Sequence, residues 1–128
     1  MIYLDSSVAL AHLLAEDHTP PPDLWREPLI SSRLIEYEVW NRINARRFGR
    51  SHGENVRALL GRVALIELVP PVLERALEPF PKTVRTLDAL HLASIAFLKA
   101  RGQTIELASY DDRLVDCARE LGFGIVPL

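Results

Sequence analysis

Short apolar segments alternate with longer amphipathic segments along the whole chain of 128 residues, and this alternation limits the folds open to it. The short segments have the length of buried strands, whereas the longer ones repeat their apolar residues at helical spacing. We predict strands at residues 1–4, 29–31, 65–69, 105–108 and 125–126. Strands that alternate with helices indicate an α/β sandwich with a mainly parallel central sheet flanked by helices.

Helices are expected between these strands, over residues 6–14, 33–47, 54–62, 72–77, 86–98 and 112–121. We expect Ser32 to cap the second helix and Thr86 the fifth, and Gly122 to end the sixth. The fifth helix carries no charged residue over 89–98 if His91 is neutral. We therefore expect it to lie at the buried centre of the fold.

The composition is that of an ordinary globular protein, with 48% hydrophobic and 25% charged residues. No repeat or Gly/Ser linker divides the chain, so residues 1–128 are expected to form a single domain. Cys117 is the only cysteine, which excludes an internal disulfide and a thiolate zinc cluster and favours a reducing, cytoplasmic setting. No apolar run approaches the length of about 20 residues that a membrane-spanning helix needs, and no secretory signal begins the chain.

Two aspartates come shortly after predicted strands. Asp5 comes after the first strand and Asp111 after the fourth. In a parallel sheet, ligands bind beyond the carboxyl ends of the strands, where the strand order reverses, so these positions suit a catalytic site. Each aspartate could instead be a helix N-cap, because a carboxylate there accepts hydrogen bonds from the first turn and favours the positive end of the helix dipole.

Two further carboxylates lie on predicted helices. Asp88 is in the first turn of the most apolar helix, where it could act as a cap. A carboxylate there is costly to desolvate unless a cation meets it. Glu38 is in the second turn of its helix, where it has no capping role. Its alternative role is a salt bridge to Arg42, one turn later.

If these four carboxylates converge, each pair about 5 Å apart repels by roughly 3 kcal/mol at an effective dielectric constant of about 20. Such a cluster raises its own pKa values or binds a cation, and oxygen ligands favour a hard divalent ion such as Mg²⁺. Asp112 and Asp116 stand near Asp111 and could replace or assist it. We leave His91 outside the predicted metal site, because hard ions prefer oxygen and a buried histidine is usually a hydrogen-bonded core residue.

Arginines are concentrated in one part of the chain. The net charge is only −2, yet residues 33–50 contain five arginines and two glutamates. This patch suits phosphate contacts through Arg42, Arg46 and Arg47. It could equally be an ordinary solvated helix face.

Four stretches of the chain together resemble a known family: Ile2-Tyr3-Leu4-Asp5-Ser6-Ser7, Ser31-Ser32-Arg33-Leu34 through Glu38, Leu87-Asp88-Ala89-Leu90-His91-Leu92-Ala93, and Ser109-Tyr110-Asp111 with Arg113-Leu114. In their order and spacing they are similar to the PIN-domain family and, within it, to the VapC-type toxins of bacterial and archaeal toxin–antitoxin pairs. The likeness spans the chain from Met1 to Pro127. The stretch from Leu87 to Ala93 is its most specific part.

This resemblance implies a PIN-like three-layer sandwich and an endoribonuclease that hydrolyses RNA phosphodiester bonds with Mg²⁺ or Mn²⁺. The implied catalytic and metal-binding acids are Asp5, Glu38, Asp88 and Asp111. Ser109, where the family often has threonine, and Asp112 are expected to support the site, and the patch of Arg42, Arg46 and Arg47 is expected to bind RNA. The resemblance also implies a homodimer and a small antitoxin protein that silences the enzyme.

Two other functions are consistent with the same residues. A non-catalytic interaction module could receive a partner's arginine in an acidic pocket. A phosphatase could use Asp5 as a covalent nucleophile, but such enzymes commonly carry a second aspartate two residues later, where this chain has Ser7. The sequence also lacks the P-loop, HExxH, GxSxG and GxGxxG motifs of other common enzyme classes.

Overall fold

The computed structural model describes residues 1–128. Five strands form one sheet in which every neighbouring pair is parallel, which confirms the predicted mainly parallel sheet. The strands are β1 (Ile2–Leu4), β2 (Leu29–Ser32), β3 (Val63–Ile66), β4 (Glu106–Ala108) and β5 (Gly124–Ile125), in the spatial order β3-β2-β1-β4-β5.

Helices cover both faces of the sheet, so the predicted three-layer α/β sandwich is confirmed. They are α1 (Ser6–Leu13), α2 (Leu34–Ala45), α3 (Gly49–Leu60), α4 (Pro70–Ala76), α5 (Thr86–Ala100) and α6 (Asp112–Glu120), with a 3-10 helix at Pro22–Arg26 before β2. Helices α1, α2 and α3 pack on one face, and α5 and α6 on the other, with α4 against α5. No helix is both long and apolar enough to cross a bilayer.

Alternate residues of the central strand build the two cores, because neighbouring side chains of a strand point to opposite faces. Ile2 and Leu4 belong to the core under α1, α2 and α3. Tyr3, between them, belongs to the core under α5 and α6. All three are buried, as expected for the middle strand of a parallel sheet that is covered on both faces.

The third strand begins two residues before its predicted start. It covers Val63–Ile66 rather than 65–69, because Val63 is the residue that pairs with Leu29 in the register of β2. Val69 instead takes the extended N-cap position of α4. An apolar run shows that a strand is present, but the neighbouring strand decides which of its residues pair.

The helix α3 also begins earlier than predicted, at Gly49 instead of Glu54. Its first turn is polar and contains glycine, which has weak helix propensity. Burial of Val56, Leu59 and Leu60 against the sheet fixes the helix nevertheless. Tertiary packing therefore outweighs local propensity in this element.

Two of the three predicted helix signals are confirmed. The Ser32 hydroxyl oxygen accepts a hydrogen bond from the backbone N–H of Leu34 at 3.0 Å, at the start of α2. Gly122 follows α6 with a φ of 80°, a conformation that glycine adopts without strain. The capping role of Thr86 is wrong: Thr86 is the first helical residue, and Arg85 takes the extended N-cap position.

The strand order reverses between β1 and β4. From β1 the chain moves outward to β2 and β3, and it then crosses to the other side of β1 to form β4 and β5. A crevice forms at such a point because the connections leave the sheet in opposite directions. Asp5 follows β1 and Ser109 follows β4, so both lie at this reversal point.

Candidate active site

The candidate acids Asp5, Glu38, Asp88 and Asp111 are called the acidic cluster below. Asp5 is its most buried member, with 6% of its surface exposed. It occupies the N-cap position of α1, but its side chain makes no capping hydrogen bond. Instead, the hydroxyls of Ser7 and Ser109 donate to its Oδ2 at 2.6 and 2.8 Å. The structure has no fully buried side-chain oxygen without a hydrogen bond, so the unbonded Oδ1 reaches solvent. Burial raises the pKa of Asp5, and the charge of Glu38 adds to this effect.

Glu38, on α2, is held from two sides. Its Oε1 lies 2.6 Å from Nε2 of His91, and its Oε2 accepts a hydrogen bond from the Ser6 hydroxyl at 3.3 Å. The other ring nitrogen of His91, Nδ1, lies 2.7 Å from the Tyr3 hydroxyl. These contacts fix the Glu38 carboxylate in one orientation at the mouth of the site.

His91 is a hydrogen-bonded buried residue, as predicted, with 1% of its surface exposed. It nevertheless lies against the acids, because one atom each of Asp5, Glu38 and His91 fall within 4.8 Å of one another. Burial disfavours the imidazolium form. The hydrogen bond and charge of Glu38, with the charges of Asp5 and Asp88, outweigh burial and raise the pKa of His91.

Asp88 lies half-buried in the first turn of α5. Burial is the largest cause of its raised pKa, and the negative charges of Asp111 and Asp5 raise it further. A hydrogen bond from the Arg85 backbone, which corresponds to the capping alternative, and the charge of His91 offset only part of the increase. This coupling places Asp5, Asp88 and Asp111 in one electrostatic site.

Asp111 is the N-cap of α6, which confirms its capping role. Its Oδ1 accepts hydrogen bonds from the backbone N–H groups of Arg113 at 3.0 Å and Leu114 at 3.3 Å. Its Oδ2 makes no hydrogen bond and stays free for a ligand. Asp111 is also the acid whose charge acts most strongly on Asp88.

Three of the four candidate acids, Glu38, Asp88 and Asp111, line a cleft of about 1110 Å³. Its wall contains the following charged residues: Glu38, Asp88, Asp111, Asp112, Asp116, Arg42, Arg85 and Arg113. Asp112 and Asp116, the predicted substitutes for Asp111, therefore share the cleft with it. The wall of the cleft therefore combines five carboxylates with three arginines.

The structure divides the predicted arginine patch. Arg42 lines the cleft, whereas Arg46 and Arg47 lie exposed beyond the end of α2 and outside the cleft wall. The alternative salt bridge from Arg42 to Glu38 is wrong. The Arg42 guanidinium instead lies 3.8 Å from a carboxylate oxygen of Glu16.

Sequence reasoning did not select Arg85 and Arg113, although both line the cleft. Their closeness in sequence to the candidate acids could have indicated this position. Arg85 lies three residues before Asp88, and Arg113 lies two residues after Asp111, each at the start of a helix that begins at the site. His91 stands three residues after Asp88, on the same helix face, which is a signal for its contact with the acids.

The donor set suits a hard divalent cation. Asp5 Oδ1 and Asp111 Oδ2 make no hydrogen bond, so both can serve as ligands. Burial raises the pKa values of Asp5 and Asp88, and the charges of neighbouring carboxylates raise them further, so both groups lack a compensating positive charge. A divalent cation supplies that charge, and a set of several carboxylates matches Mg²⁺ or Mn²⁺ better than softer metals.

Comparison with known proteins points to one family. The family model described as PIN domain matches residues 2–120. Ribonuclease VapC47 of Mycobacterium tuberculosis (strain CDC 1551 / Oshkosh) is 33% identical over 130 residues, covering 96% of this chain and 93% of that protein. Ribonuclease VapC46 of strain ATCC 25618 / H37Rv is 32% identical over 128 residues, covering 98% and 95%. A crystal structure of Mycobacterium tuberculosis VapC20, titled a sarcin-ricin loop cleaving toxin, superposes with a TM-score of 0.72 at 21% identity over the full length of both chains.

Proposed function

Because this chain belongs to the PIN-domain family, we propose that it is a VapC-type endoribonuclease, the toxin of a toxin–antitoxin pair, that hydrolyses RNA phosphodiester bonds with Mg²⁺ or Mn²⁺. One observation carries the proposal: Asp5 follows the strand at which the sheet order reverses, an atom of Glu38 lies within 4.8 Å of it, and Asp88 and Asp111 line the same cleft as Glu38. The relatives named VapC are ribonucleases, which supports this chemistry over that of a phosphatase.

The four acids are proposed to hold the divalent cation. When bound, such a cation acidifies a water molecule and neutralises charge that develops on the phosphate. The protein contributes the orientation of its ligands. Ser7 and Ser109 hold Oδ2 of Asp5 and leave Oδ1 free, and His91 holds one oxygen of Glu38.

Three arginines in the cleft wall support a polyanionic substrate. Arg42, Arg85 and Arg113 flank the acids, and their guanidinium groups are suited to bind phosphate oxygens in pairs. A bound RNA backbone would place phosphates beside these cations and one phosphate at the metal held by the acids. Arg46 and Arg47 are proposed to add weaker contacts outside the cleft, on the same helix as Arg42.

We infer further that the protein works in the cytoplasm as a homodimer and that a small antitoxin protein inhibits it. An exposed apolar strip at the C-terminal end of α4 supports a protein partner: Leu73 on the helix is 43% exposed, and Leu77 directly after it is 89% exposed. The strip borders an apolar groove of about 680 Å³ between α4 and α5. Exposed apolar surface of this kind is typical of protein contacts. Sedimentation of the purified protein tests the dimer.

The decisive experiment is cleavage of total cellular RNA by the purified protein with Mn²⁺, with Mg²⁺ and with EDTA. The Asp5→Asn variant is assayed in parallel, because it is nearly isosteric and removes one ligand charge. We expect discrete fragments on a gel with either metal, and none with EDTA or with Asp5→Asn.

Asp23→Asn is the matched control, because Asp23 is an exposed aspartate paired with Arg26 on the 3-10 helix, outside the cleft. It should cut as the parent does. Cleavage that persists in EDTA or in Asp5→Asn contradicts the metal mechanism. A parent protein that binds divalent ions but cuts no RNA favours the non-catalytic interaction module.

A further inference from the structure

Next to the acidic cluster, two aromatic rings stack without a role in the proposed reaction. The rings of His18 and Tyr110 lie 4.4 Å apart between centroids, with an angle of 18° between their planes. His18 belongs to the loop after α1 and is exposed. Tyr110 stands between Ser109 and Asp111, two residues of the site. His18 is therefore the exposed member of the stack, and Tyr110 is partly buried beside it.

Hydrogen bonds hold this stack at a fixed place relative to Asp5. The backbone N–H of Tyr110 donates to the Ser7 hydroxyl oxygen at 3.0 Å. The same hydroxyl donates its hydrogen to Oδ2 of Asp5 at 2.6 Å. Ser109 repeats the pattern, since its oxygen accepts from the Asp111 backbone at 3.0 Å while its hydroxyl donates to Asp5 at 2.8 Å. The ring is therefore anchored to the proposed metal site on both sides.

The stack lies in a groove that adjoins the acidic cleft. The groove has a volume of about 470 Å³, within the range of small-ligand sites, and Asp112 and Asp116 line both it and the cleft. The groove also contains Arg119, which is exposed and forms no salt bridge. A chain that leaves the cleft across Asp112 and Asp116 therefore enters a groove that offers both an aromatic stack and a guanidinium group.

We propose that the His18–Tyr110 stack is a nucleobase subsite, which takes one unpaired base of the RNA strand beside the cleaved phosphate, with Arg119 at the next phosphate. The inference rests on the proposed function and deepens it, because it assigns a place to the substrate. Proteins bind single-stranded RNA by stacking its splayed bases on aromatic rings and pairing its phosphates with cations. Stacking tolerates any base, so this subsite selects single-stranded RNA rather than one sequence.

The test uses two fluorescein-labelled RNA probes of about eight nucleotides, within the site size of single-strand binders. One is a mixed sequence, and the other has the same backbone but lacks its bases. Fluorescence polarisation in Ca²⁺ gives the dissociation constant of each probe, and a gel checks that the probe stays intact. Variants are His18→Ala, His18→Phe, Tyr110→Ala and Tyr110→Phe. The control is His12→Ala, which removes a similar ring pair, with Trp25, outside both grooves.

We expect His18→Ala and Tyr110→Ala to raise the dissociation constant of the base-bearing probe by about 5- to 150-fold, the effect of about 1–3 kcal/mol per stacked base. The abasic probe should bind all proteins alike. The phenylalanine variants keep a ring and should bind as the parent does, as should His12→Ala. His18 is exposed, so its variants stay informative even if Tyr110→Ala fails to fold.

Equal affinity of the parent and His18→Ala for the base-bearing probe overturns the subsite, as does an equal loss for both probes. Failure of the proposed nuclease function gives a different result from failure of the subsite. In that case the parent itself neither cuts RNA with Mn²⁺ nor distinguishes the two probes. A parent that cuts RNA and a His18→Ala variant that binds normally would leave the nuclease intact and remove the subsite alone.

Discussion

The Nε2 atom of His91 and the Oε1 atom of Glu38 lie 2.6 Å apart, and this contact joins α5 to α2 across the site. The direction of the hydrogen bond follows from the atoms behind it. The Ser32 backbone N–H donates to the Tyr3 hydroxyl oxygen at 3.1 Å, and burial raises the pKa of Tyr3, so its hydroxyl keeps its proton. Tyr3 can then donate to Nδ1 of His91, which leaves the ring hydrogen on Nε2 to be donated to Glu38. The core thus orients a ligand of the proposed metal.

Replacement of His91 should weaken both the fold and the reaction. In His91→Leu, the Tyr3 hydroxyl and the Glu38 carboxylate each lose one hydrogen-bond partner, and an unsatisfied buried donor or acceptor costs about 1–3 kcal/mol. We expect the free energy of unfolding to fall by roughly 2–5 kcal/mol, measured by urea denaturation. RNA cleavage should fall by at least about tenfold, which corresponds to about 1.4 kcal/mol of lost transition-state stabilisation.

His91→Gln provides the matched comparison, because its amide N–H can replace Nε2 as a donor to Glu38. It should recover part of the lost activity even where stability is not restored. A leucine variant as stable and as active as the parent would show that the hydrogen bonds of His91 orient nothing.

The free energy of unfolding should depend on pH because the pKa values of two carboxyl groups differ between the folded and unfolded states. The pKa values of Asp5 and Asp88 are raised from the ordinary value of 3.8, mainly by burial, so the folded state holds their protons longer than the unfolded state does. Their stabilising contribution is full below the unfolded pKa and is lost as pH rises through the folded pKa. The raised pKa of His91 acts in the same direction from its ordinary value of 6.5 upward. Metal-free protein should therefore lose stability from weakly acidic to neutral pH.

The measurement is Tm against pH in EDTA for the parent and for Asp5→Asn. The variant removes one of the titrating charges and relieves its repulsion of Glu38 and Asp88, so its curve should be flatter and its Tm at neutral pH equal or higher. Identical curves for the two proteins would show that Asp5 carries no unfavourable charge in the folded state.

Much of the fold could be predicted from the chain because its signals are local. The apolar run before Asp5 and the uncharged face of the fifth helix each reflect burial on one element, and the structure agrees with both. The positions of Asp5 and Ser109 at neighbouring strand ends follow from parallel strands alone. The exact limits of β3 could not be predicted, because its pairing with β2 depends on a strand more than thirty residues earlier.

The contacts within the site were harder to predict because they join distant residues. Glu38 and His91 are 53 positions apart, and no local sequence pattern predicts that the faces of α2 and α5 that carry them lie together. Hydrophobic periodicity correctly indicated that His91 is buried, but only the packing of α5 against the sheet brings its ring to Glu38. The division of the arginine patch was also not predictable: its residues are close in sequence, yet Arg42 lies within α2 and lines the cleft, whereas Arg46 and Arg47 follow the end of α2 and do not.

Divalent ions should stabilise the protein through the same acids. At free Mn²⁺ about ten times its dissociation constant, binding to the folded state adds about 1.4 kcal/mol. This should raise Tm by roughly 4–6 °C in a chain of this size, and EDTA should reverse the increase. Differential scanning fluorimetry measures the shift.

Asp5→Asn should reduce the Mn²⁺ shift, whereas Asp23→Asn, on the exposed 3-10 helix, should keep it. An unchanged shift in Asp5→Asn would mean that the ion binds elsewhere on the surface. No shift in the parent would favour the interaction module.

The arginines should differ in their effect on RNA binding according to their distance from the acids. Arg42 lines the cleft, so Arg42→Glu should weaken RNA binding strongly and should lower the slope of log affinity against log salt by about one, as expected when one phosphate contact is lost. Reversal of Arg47, outside the cleft, should have a smaller effect. Arg101→Glu is the control of equal charge change, because Arg101 follows α5 at the end opposite Asp88. Equal losses for Arg42→Glu and Arg101→Glu would mean that net charge alone governs binding, and the cleft would then have no specific part in holding the RNA backbone.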